Sequence, residues 1–375
     1  MEVGFEKTLV FLIFILLGIV LKAKFKSKQE VNGIKKIILN LALPATIFIA
    51  LLGIKIEASL LLLPLMALVF NILLFAISPF LLPIVGVKKN TPTYRTARLL
   101  IPSLAPGLSC FPFVLEFLGK DFLAKAAMAD LGNKVFVLIV LYMVAMRWFY
   151  ERNQENQTGR KAKLVSLMKT LVTEPVNLFI GAALILLAFG YNMRSLPFVV
   201  SDSLAKLSLM MTPLVLLFIG LAVKIKKRQF TELFSLLLLR AGLVFLLSAA
   251  FIFVSGLSIQ NEILLLISFG LSACSFWPFA HISLVDELES EKKSKTFDST
   301  YAVAILALSF PLSTVLILGV LNSGTLLSSA ISVFVIGLIL VLVGSVFPLL
   351  KIFPKKISKL RLANTKMETA ATERA

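Results

Sequence analysis

The chain has few of the residues that build metal sites, disulfide frameworks and soluble surfaces. Its 375 residues include two cysteines and a single histidine, which excludes a disulfide framework and a multi-histidine metal site. Only 15% of the residues are charged, whereas a soluble domain carries about a quarter. Walker A, HExxH and GxSxG motifs are also absent. We therefore expect no enzyme, no metal site, no cofactor and no ATP-driven transport by this chain alone.

The chain is rich in long runs of apolar residues. Hydrophobic residues make up 58% of the chain, and the mean hydropathy is +0.96. A run of about 20 apolar residues crosses about 30 Å of hydrocarbon as a helix, and such runs recur throughout. The first run follows Glu2 and Glu6 rather than a basic region, which favours a span over a signal peptide. Eleven spans are predicted, near residues 8–21, 35–53, 58–84, 95–118, 122–146, 175–190, 204–223, 234–256, 262–285, 299–320 and 326–350.

The chain has a net charge of +18, and the positions of its basic residues predict a membrane topology. Lysine and arginine concentrate after the first, third, fifth, seventh, ninth and eleventh spans, and the loops between carry almost none. The positive-inside rule then places the N-terminus outside and the C-terminus in the cytoplasm, in the plasma (cytoplasmic) membrane. We expect the lipid bilayer as partner, with a secondary attraction to anionic lipid, and no nucleic acid.

Matching landmarks divide the chain into two halves. The motif LALPATIF resembles MMTPLVLLF, and CFPF resembles FWPF. The paired residues, 169, 166 and 168 positions apart, are Pro44 with Pro213, Pro112 with Pro278, and Asp130 with Asp298. A repeat of five spans is odd, so its second copy enters the membrane from the opposite face. The predicted units are a first repeat (1–150), a cytoplasmic linker (151–163), a second repeat (164–320), an extra span (321–350) and a basic tail (351–375).

Two apolar segments, Ser103–Phe113 and Ser272–Phe279, carry prolines and small residues inside predicted spans four and nine. In hydrocarbon, a proline break survives only where protein or a water-lined cavity satisfies the freed backbone groups. The half-helix that follows a break presents N–H groups with a partial positive charge, which suits a carboxylate. The candidate substrate-binding residues are Asn40, Pro106, Gly107, Ser109, Cys110, Pro112, Ser272, Cys274, Ser275 and Pro278. The alternative is a pair of proline kinks with small packing residues, with Asn40 repairing the backbone at Pro44.

Charged and titratable residues within apolar sequence form a second candidate set. Asp130 and Lys134 are spaced i, i+4 and are predicted to pair on one helix face beside Asn133. They form either a coupling or support site next to the breaks or a static ion pair. His281 is a candidate for proton coupling, with hydrogen-bonded packing as the alternative. Arg240 is predicted to snorkel toward cytoplasmic headgroups.

Five motifs together resemble the auxin efflux carrier family, over about residues 5–320. They are LNLALPATIFIALLG, GLSCFPFVLEFLG, AMADLGNKVF, EPVNLFIGAALILLAFG and LMMTPLVLLFIGLAV. The resemblance implies ten core helices in two inverted repeats, a scaffold and a transport domain, and a crossover of helices four and nine that holds an organic anion. Bile-acid sodium symporters share this architecture. The chain departs from the family pattern at Ala105, Cys110 and Phe279, where asparagine, glycine and a small amide or polar residue are usual.

We therefore expect an all-α polytopic membrane protein, with two inverted five-helix repeats and an eleventh helix. The expected function is secondary transport of a small organic anion, with proton or sodium coupling left open and a homodimer among the expected assemblies. A sodium-coupled bile-acid-type symporter is one alternative. A non-transporting membrane receptor is another, since bulky Phe276, Trp277 and Phe279 suit a closed cavity. A membrane enzyme is the least favoured.

Overall fold

The protein is seen in a computed structural model that describes residues 2–25, 27–53, 58–153, 172–222, 230–289 and 295–346, together with residues 165, 166, 169, 291 and 348. Within these ranges the chain is all-helical, with no strand. All but the first three residues of the predicted linker (154–163 of 151–163) and the whole basic tail (351–375) lie outside the described residues.

The first half of the chain contains nine helices among the described residues. They are α1 (Glu2–Leu21), α2 (Lys28–Ile37), α3 (Leu43–Leu52), α4 (Ala58–Leu81), α5 (Pro92–Leu100), α6 (Pro106–Ser109), α7 (Phe111–Phe117), α8 (Lys120–Val135) and α9 (Leu141–Asn153). The described helices of the second half are α10 (Pro175–Ala188), α11 (Phe198–Leu209), α12 (Met211–Ala222), α13 (Phe230–Ser255), α14 (Gln260–Gly270), α15 (Phe276–Leu288), α16 (Ser299–Leu321) and α17 (Ala330–Val346).

Six helical segments among the described residues are long and apolar enough to cross a membrane. They are Gln29–Leu52, Leu60–Leu81, Lys120–Arg152, Phe198–Leu221, Phe230–Ser255 and Ser299–Leu321. These helices fit an integral membrane protein. Two other predicted spans, 95–118 and 262–285, are instead divided into shorter helices. The total of eleven spans and the orientation of the termini stay predictions.

Pro44 accounts for a local change of helix type between α2 and α3. Proline has no N–H, and its ring crowds the carbonyl four residues before it, which is that of Asn40. Residues Ile38–Ala42 form a π-helical turn, and the amide of Leu43 donates to the carbonyl of Ile38. The wider turn lets the span pass the proline without ending.

The helices pack in two groups. In one group, α1 packs along α12, and α3 packs against α10 and α11. In the other, α4 packs against α8, α5 against α16, and α13 against α4, α14 and α16. Contacts of α3 with α8 and of α12 with α7 join the groups. Each group therefore combines helices from the first and second halves of the chain.

Glycine permits the closest approach within each group. A Cβ built on Gly132 of α8 would overlap the carbonyl oxygen of Pro64 in α4. Gly18 and Gly220 meet in the same way where α1 crosses α12. Small residues at crossings are the usual means by which membrane helices bring their backbones together.

The prediction that Asp130 and Asp298 each open a span is wrong for Asp130. Asp298 lies just before α16, where its side chain accepts a hydrogen bond from the amide of Tyr301 as a helix N-cap. Asp130 lies inside α8, which begins ten residues earlier at Lys120. A similar offset along the sequence therefore joined a helix cap to a mid-helix acid.

Candidate functional site

The first predicted break divides one apolar segment into three helices. The α5 helix ends at Leu100, and residues 101–105 form a non-helical segment before Pro106 starts α6. A second interruption at Cys110 precedes α7. Pro106 and Pro112 occupy the first turns of α6 and α7, where a missing N–H breaks no intrahelical bond. The prolines therefore set the points at which the helices restart.

The second predicted break is a single non-helical segment, residues 271–275, between α14 and α15. The side chain of Ser275 caps α15 by accepting a hydrogen bond from the amide of Trp277 at 3.3 Å. Pro278 again lies in the first turn of the restarted helix. The helix interruptions thus overlap the two segments that the sequence indicates, although they begin one or two residues earlier.

The two non-helical segments are hydrogen-bonded to each other. The amide of Ala105 donates to the carbonyl of Ala273 at 2.8 Å. The amide of Ala273 donates to the Ser109 hydroxyl at 2.9 Å, and that of Ser275 donates to the Ser103 hydroxyl at 3.0 Å. Three backbone donors freed by the breaks are satisfied in this way, as burial in hydrocarbon requires.

Arg240 lies at the same meeting point, and its predicted snorkelling is wrong. Its side chain, which extends from the interior of α13, is 3% exposed. Nε donates to the carbonyl of Ile101 at 2.7 Å, and Nη2 donates to the carbonyls of Ser103 at 3.3 Å and Ser272 at 2.7 Å. A buried guanidinium needs such partners because desolvation of a charge costs several kcal/mol. The carbonyls that the breaks leave free supply them.

A chain of side chains leads from the first break into α8. Asn133 donates to the carbonyl of Leu104 at 3.0 Å and to Asp130 Oδ1 at 2.8 Å. Asn71 of α4 donates in turn to Asn133 Oδ1 at 2.9 Å. Asn133 of α8 is therefore in direct contact with the first break, and Asp130 is connected to the break through Asn133.

Lys134 extends this chain to the other helix group. Its Nζ lies 3.5 Å from Asp130 Oδ2, which confirms the predicted i, i+4 pair. The same Nζ lies 3.3 Å from Glu174 Oε2 and donates to Asn177 Oδ1 at 2.9 Å. Glu174 and Asn177 lie at the start of α10. One lysine thus bridges two carboxylates across the boundary between the groups.

The remaining predicted site residues occupy different environments. Asn40 is exposed and lies in the π-helical turn, whereas Gly107 faces Leu43 of α3. Ser272 donates to the carbonyl of Phe269 at 2.6 Å, and both cysteines, Cys110 and Cys274, are buried free thiols. The structure brings the residues of the two breaks together and leaves Asn40 on an exposed face.

His281 of α15 is buried. Its Nε2 lies 2.9 Å from the carbonyl oxygen of Val137, and its ring meets that of Tyr142 edge-on at 5.5 Å between centroids. Both partners belong to the continuation of α8 through α9. A role for His281 in proton coupling stays a prediction.

A cavity of about 750 Å³ lies between the two helix groups. Its walls include Thr46 of α3, Thr212 and Pro213 of α12, and Glu116 of α7. None of the ten predicted substrate-binding residues lines it. The breaks are closed to this cavity in the conformation seen here, and the cavity adjoins α7, the helix that restarts after the first break.

Arg240 and Glu174 are functional candidates that the sequence interpretation did not identify. Arg240 interrupts the apolar run Leu236–Leu239, a signal that also fits a snorkelling residue at a span end. Glu174 directly precedes Pro175 and has the sequence context of an ordinary helix start. Each acquires its role from partners distant in sequence.

No protein-family model matches the chain, and no curated protein is significantly similar to it.

Proposed function

We propose that this protein is a secondary carrier that moves a small organic anion, such as a carboxylate, across the cytoplasmic membrane. The observation that carries the proposal is the pair of interrupted helices, hydrogen-bonded to each other within an all-helical, apolar protein. Interrupted helices that meet in this way are typical of transporter binding sites, because irregular backbone is tolerated at membrane depth only inside protein or along a cavity.

The hydrogen-bond pattern supports two inverted repeats with a crossover of helices four and nine. Ala105 and Ala273, joined through their backbones, are 168 residues apart, as the landmark prolines nearly are. The bonds from Ser275 to Ser103 and from Ala273 to Ser109 lie on either side of this pair. Such an arrangement is expected when equivalent segments of two repeats cross about a twofold axis.

The two helix groups correspond, in this proposal, to a scaffold and a moving domain. The group of α1, α3 and α10–α12 would form the scaffold, and the group that holds both breaks would move. The cavity between them reaches the C-terminal end of α7 at Leu115 and Glu116, and movement of one group against the other would open it toward the crossover. Alternating access then consists of movement of one group against the other, with an N-terminus outside and a C-terminus in the cytoplasm.

The contact between Lys134 and Glu174 gives the boundary an ionic connection that any such movement must break or re-form. We propose that Asp130, Asn133 and Lys134 support the crossover and participate in coupling, together with Glu174. Proton and sodium coupling make different predictions for transport, and the experiment below separates them.

A non-transporting receptor on the same fold is the second candidate. It is favoured by the burial of Ser109, Cys110, Ser272 and Cys274, which are shielded from solvent at the crossover in this conformation. A carrier passes through a closed conformation, whereas a receptor without a transport path keeps it.

Reconstitution into liposomes tests the proposal. Uptake of a panel of labelled carboxylates is measured under imposed pH, sodium and voltage gradients applied one at a time, with empty liposomes as the control. We expect saturable uptake of at least one carboxylate. If no anion moves under any gradient while the reconstituted protein remains folded, the carrier proposal fails and the receptor leads.

A further inference from the structure

Arg240 makes the same contacts that a bound metal cation would make at the breaks. Its guanidinium is hydrogen-bonded to three backbone carbonyls, those of Ile101, Ser103 and Ser272. In transporters with discontinuous helices, such unwound carbonyls and half-helix C-terminal ends are the groups that coordinate a coupling cation. Carbonyl oxygens are ligands that hard cations prefer.

The charge balance at this point favours a cation. Ile101 caps the C-terminal end of α5, and Ser272 lies one residue beyond the C-cap of α14. Each helix C-terminus carries roughly half a negative charge, so two converging ends present about one negative charge. The single positive charge of Arg240 balances the negative charge of these two helix ends.

No carboxylate competes for this guanidinium in the described part of the chain. The ion pairs found there involve Lys7, Lys125, Lys134, Arg147 and Lys206, and none involves Arg240. The guanidinium of Arg98, by contrast, packs over the rings of Phe75 and Trp148. The charge of Arg240 is therefore balanced by the backbone carbonyls of the two breaks and not by a carboxylate.

We propose that Arg240 acts as a tethered cation that takes the place of a metal ion between the carbonyl ends of the two interrupted helices. It positions the crossover segments, and its charge is permanent because arginine stays protonated. Two consequences follow. The folded crossover does not require sodium, and removal of the side chain leaves a vacant carbonyl site that accepts a small cation. The first consequence extends the proposed carrier function, whereas the second holds whether or not the protein transports anything.

Chemical rescue tests the second consequence. Arg240→Ala is purified in detergent, and its thermal unfolding midpoint is measured with guanidinium, methylguanidinium, sodium and urea at equal, non-denaturing millimolar concentrations. We expect Tm to fall by several degrees and guanidinium to restore at least half of the loss. Urea, which has a similar shape but no charge, should restore none.

Leu239→Ala is the matched control. Leu239 precedes Arg240 on α13 and is fully buried, so its truncation leaves a cavity without removing a charge. Guanidinium should not stabilise this variant or the unmodified protein. Stabilisation of all three proteins alike would mean a nonspecific salt effect and would overturn the proposal.

A second pair of variants covers the case in which Arg240→Ala does not fold. Arg240→Lys retains the charge and Arg240→Gln removes it, while both retain a flexible chain. We expect the lysine variant to unfold at a clearly higher temperature than the glutamine variant. Equal losses in the two variants, or a folded Arg240→Ala protein without rescue, would overturn the tethered-cation proposal.

The outcome is separable from that of the carrier proposal. Rescue of Arg240→Ala together with no anion uptake by the unmodified protein refutes the carrier and retains the tethered cation. Carboxylate uptake by the unmodified protein, together with no rescue of Arg240→Ala, supports the carrier and refutes the tethered cation. Sodium-dependent uptake, or a Tm of the unmodified protein that falls when potassium replaces sodium, would contradict the first consequence.

Discussion

The amide nitrogen of Ala105 lies 2.8 Å from the carbonyl oxygen of Ala273 and donates a hydrogen bond to it, although 168 residues separate the two along the chain. Neither side chain takes part in this bond. The contact depends on backbone conformation alone, which makes it sensitive to substitution by proline and tolerant of other small residues.

Ala105→Pro should therefore destabilise the protein. Proline removes the donor and fixes φ near −65°, whereas Ala105 has φ of −128°. We expect a loss of about 1–3 kcal/mol from the unpaired Ala273 carbonyl, with further loss from strain. Thermal unfolding in detergent measures it. Ala105→Ser retains the N–H and is the control; comparable losses in both variants would show that the backbone bond is not the cause.

Ser109→Ala should cost more than removal of a serine that has no partner. The Ser109 hydroxyl accepts from the amide of Ala273, so its loss leaves a buried donor unsatisfied, at about 1–3 kcal/mol. Ser248 is equally buried, and its hydroxyl has no hydrogen-bond partner among the described residues. Ser248→Ala should therefore change the unfolding midpoint little. The prediction is contradicted if the two variants have the same Tm.

Lys134→Met should be strongly destabilising because it leaves Asp130 and Glu174 close together without their shared cation. Removal of one partner from a buried ion pair typically costs about 3–5 kcal/mol, and we expect the lower end because Glu174 is 25% exposed. Denaturant or thermal unfolding measures the loss.

Lys125→Met is the control for Lys134→Met. Lys125 pairs with Glu262 at 2.7 Å, but its side chain is 33% exposed, so solvent screens the pair. The expected cost is below about 1 kcal/mol. In the triple variant with Asp130→Asn, Glu174→Gln and Lys134→Met, much of the lost stability should return. If it does not, burial of unpaired charge is not the reason for the loss.

Gly132→Ala should push α8 away from α4 and destabilise the protein. The new Cβ would overlap the carbonyl oxygen of Pro64, which is backbone and has little freedom to move, so we expect a loss of about 1–3 kcal/mol. A Cβ added at Gly181 of α10 would meet no atom of another helix within 4 Å. Gly181→Ala should alter stability by less than about 1 kcal/mol. A tolerated Gly132→Ala would mean that the helices do not approach this closely.

The features that the sequence predicted well depend on local physics. Pro106, Pro112 and Pro278 restart helices because proline constrains its own residue and the preceding turn. The Asp130–Lys134 pair follows from i, i+4 spacing on one helix. Apolar run length is likewise a local property, and it indicates an integral membrane protein correctly.

The features that the sequence did not reveal depend on partners far along the chain. Snorkelling and burial of Arg240 are equally compatible with an arginine in an apolar run. The side chain is buried because it donates a hydrogen bond to the carbonyl of Ile101, 139 residues away. Asp298 is a cap and Asp130 is not, because the chain restarts a helix at one position and continues it at the other. Such distinctions require the tertiary arrangement.

The bond between Ala105 and Ala273 has a consequence for biosynthesis. When the first break enters the membrane, the amide of Ala105 and the carbonyls of Ile101 and Ser103 lack the partners that they have in the folded protein, because Arg240 and Ala273 have not yet been made. At roughly 5–20 residues per second, the ribosome needs on the order of 10–30 s to reach the second break. During that interval, the first break must remain in the insertion machinery, in contact with water, or beside a chaperone. Completion of the second half therefore supplies the last hydrogen-bond partners of the first break.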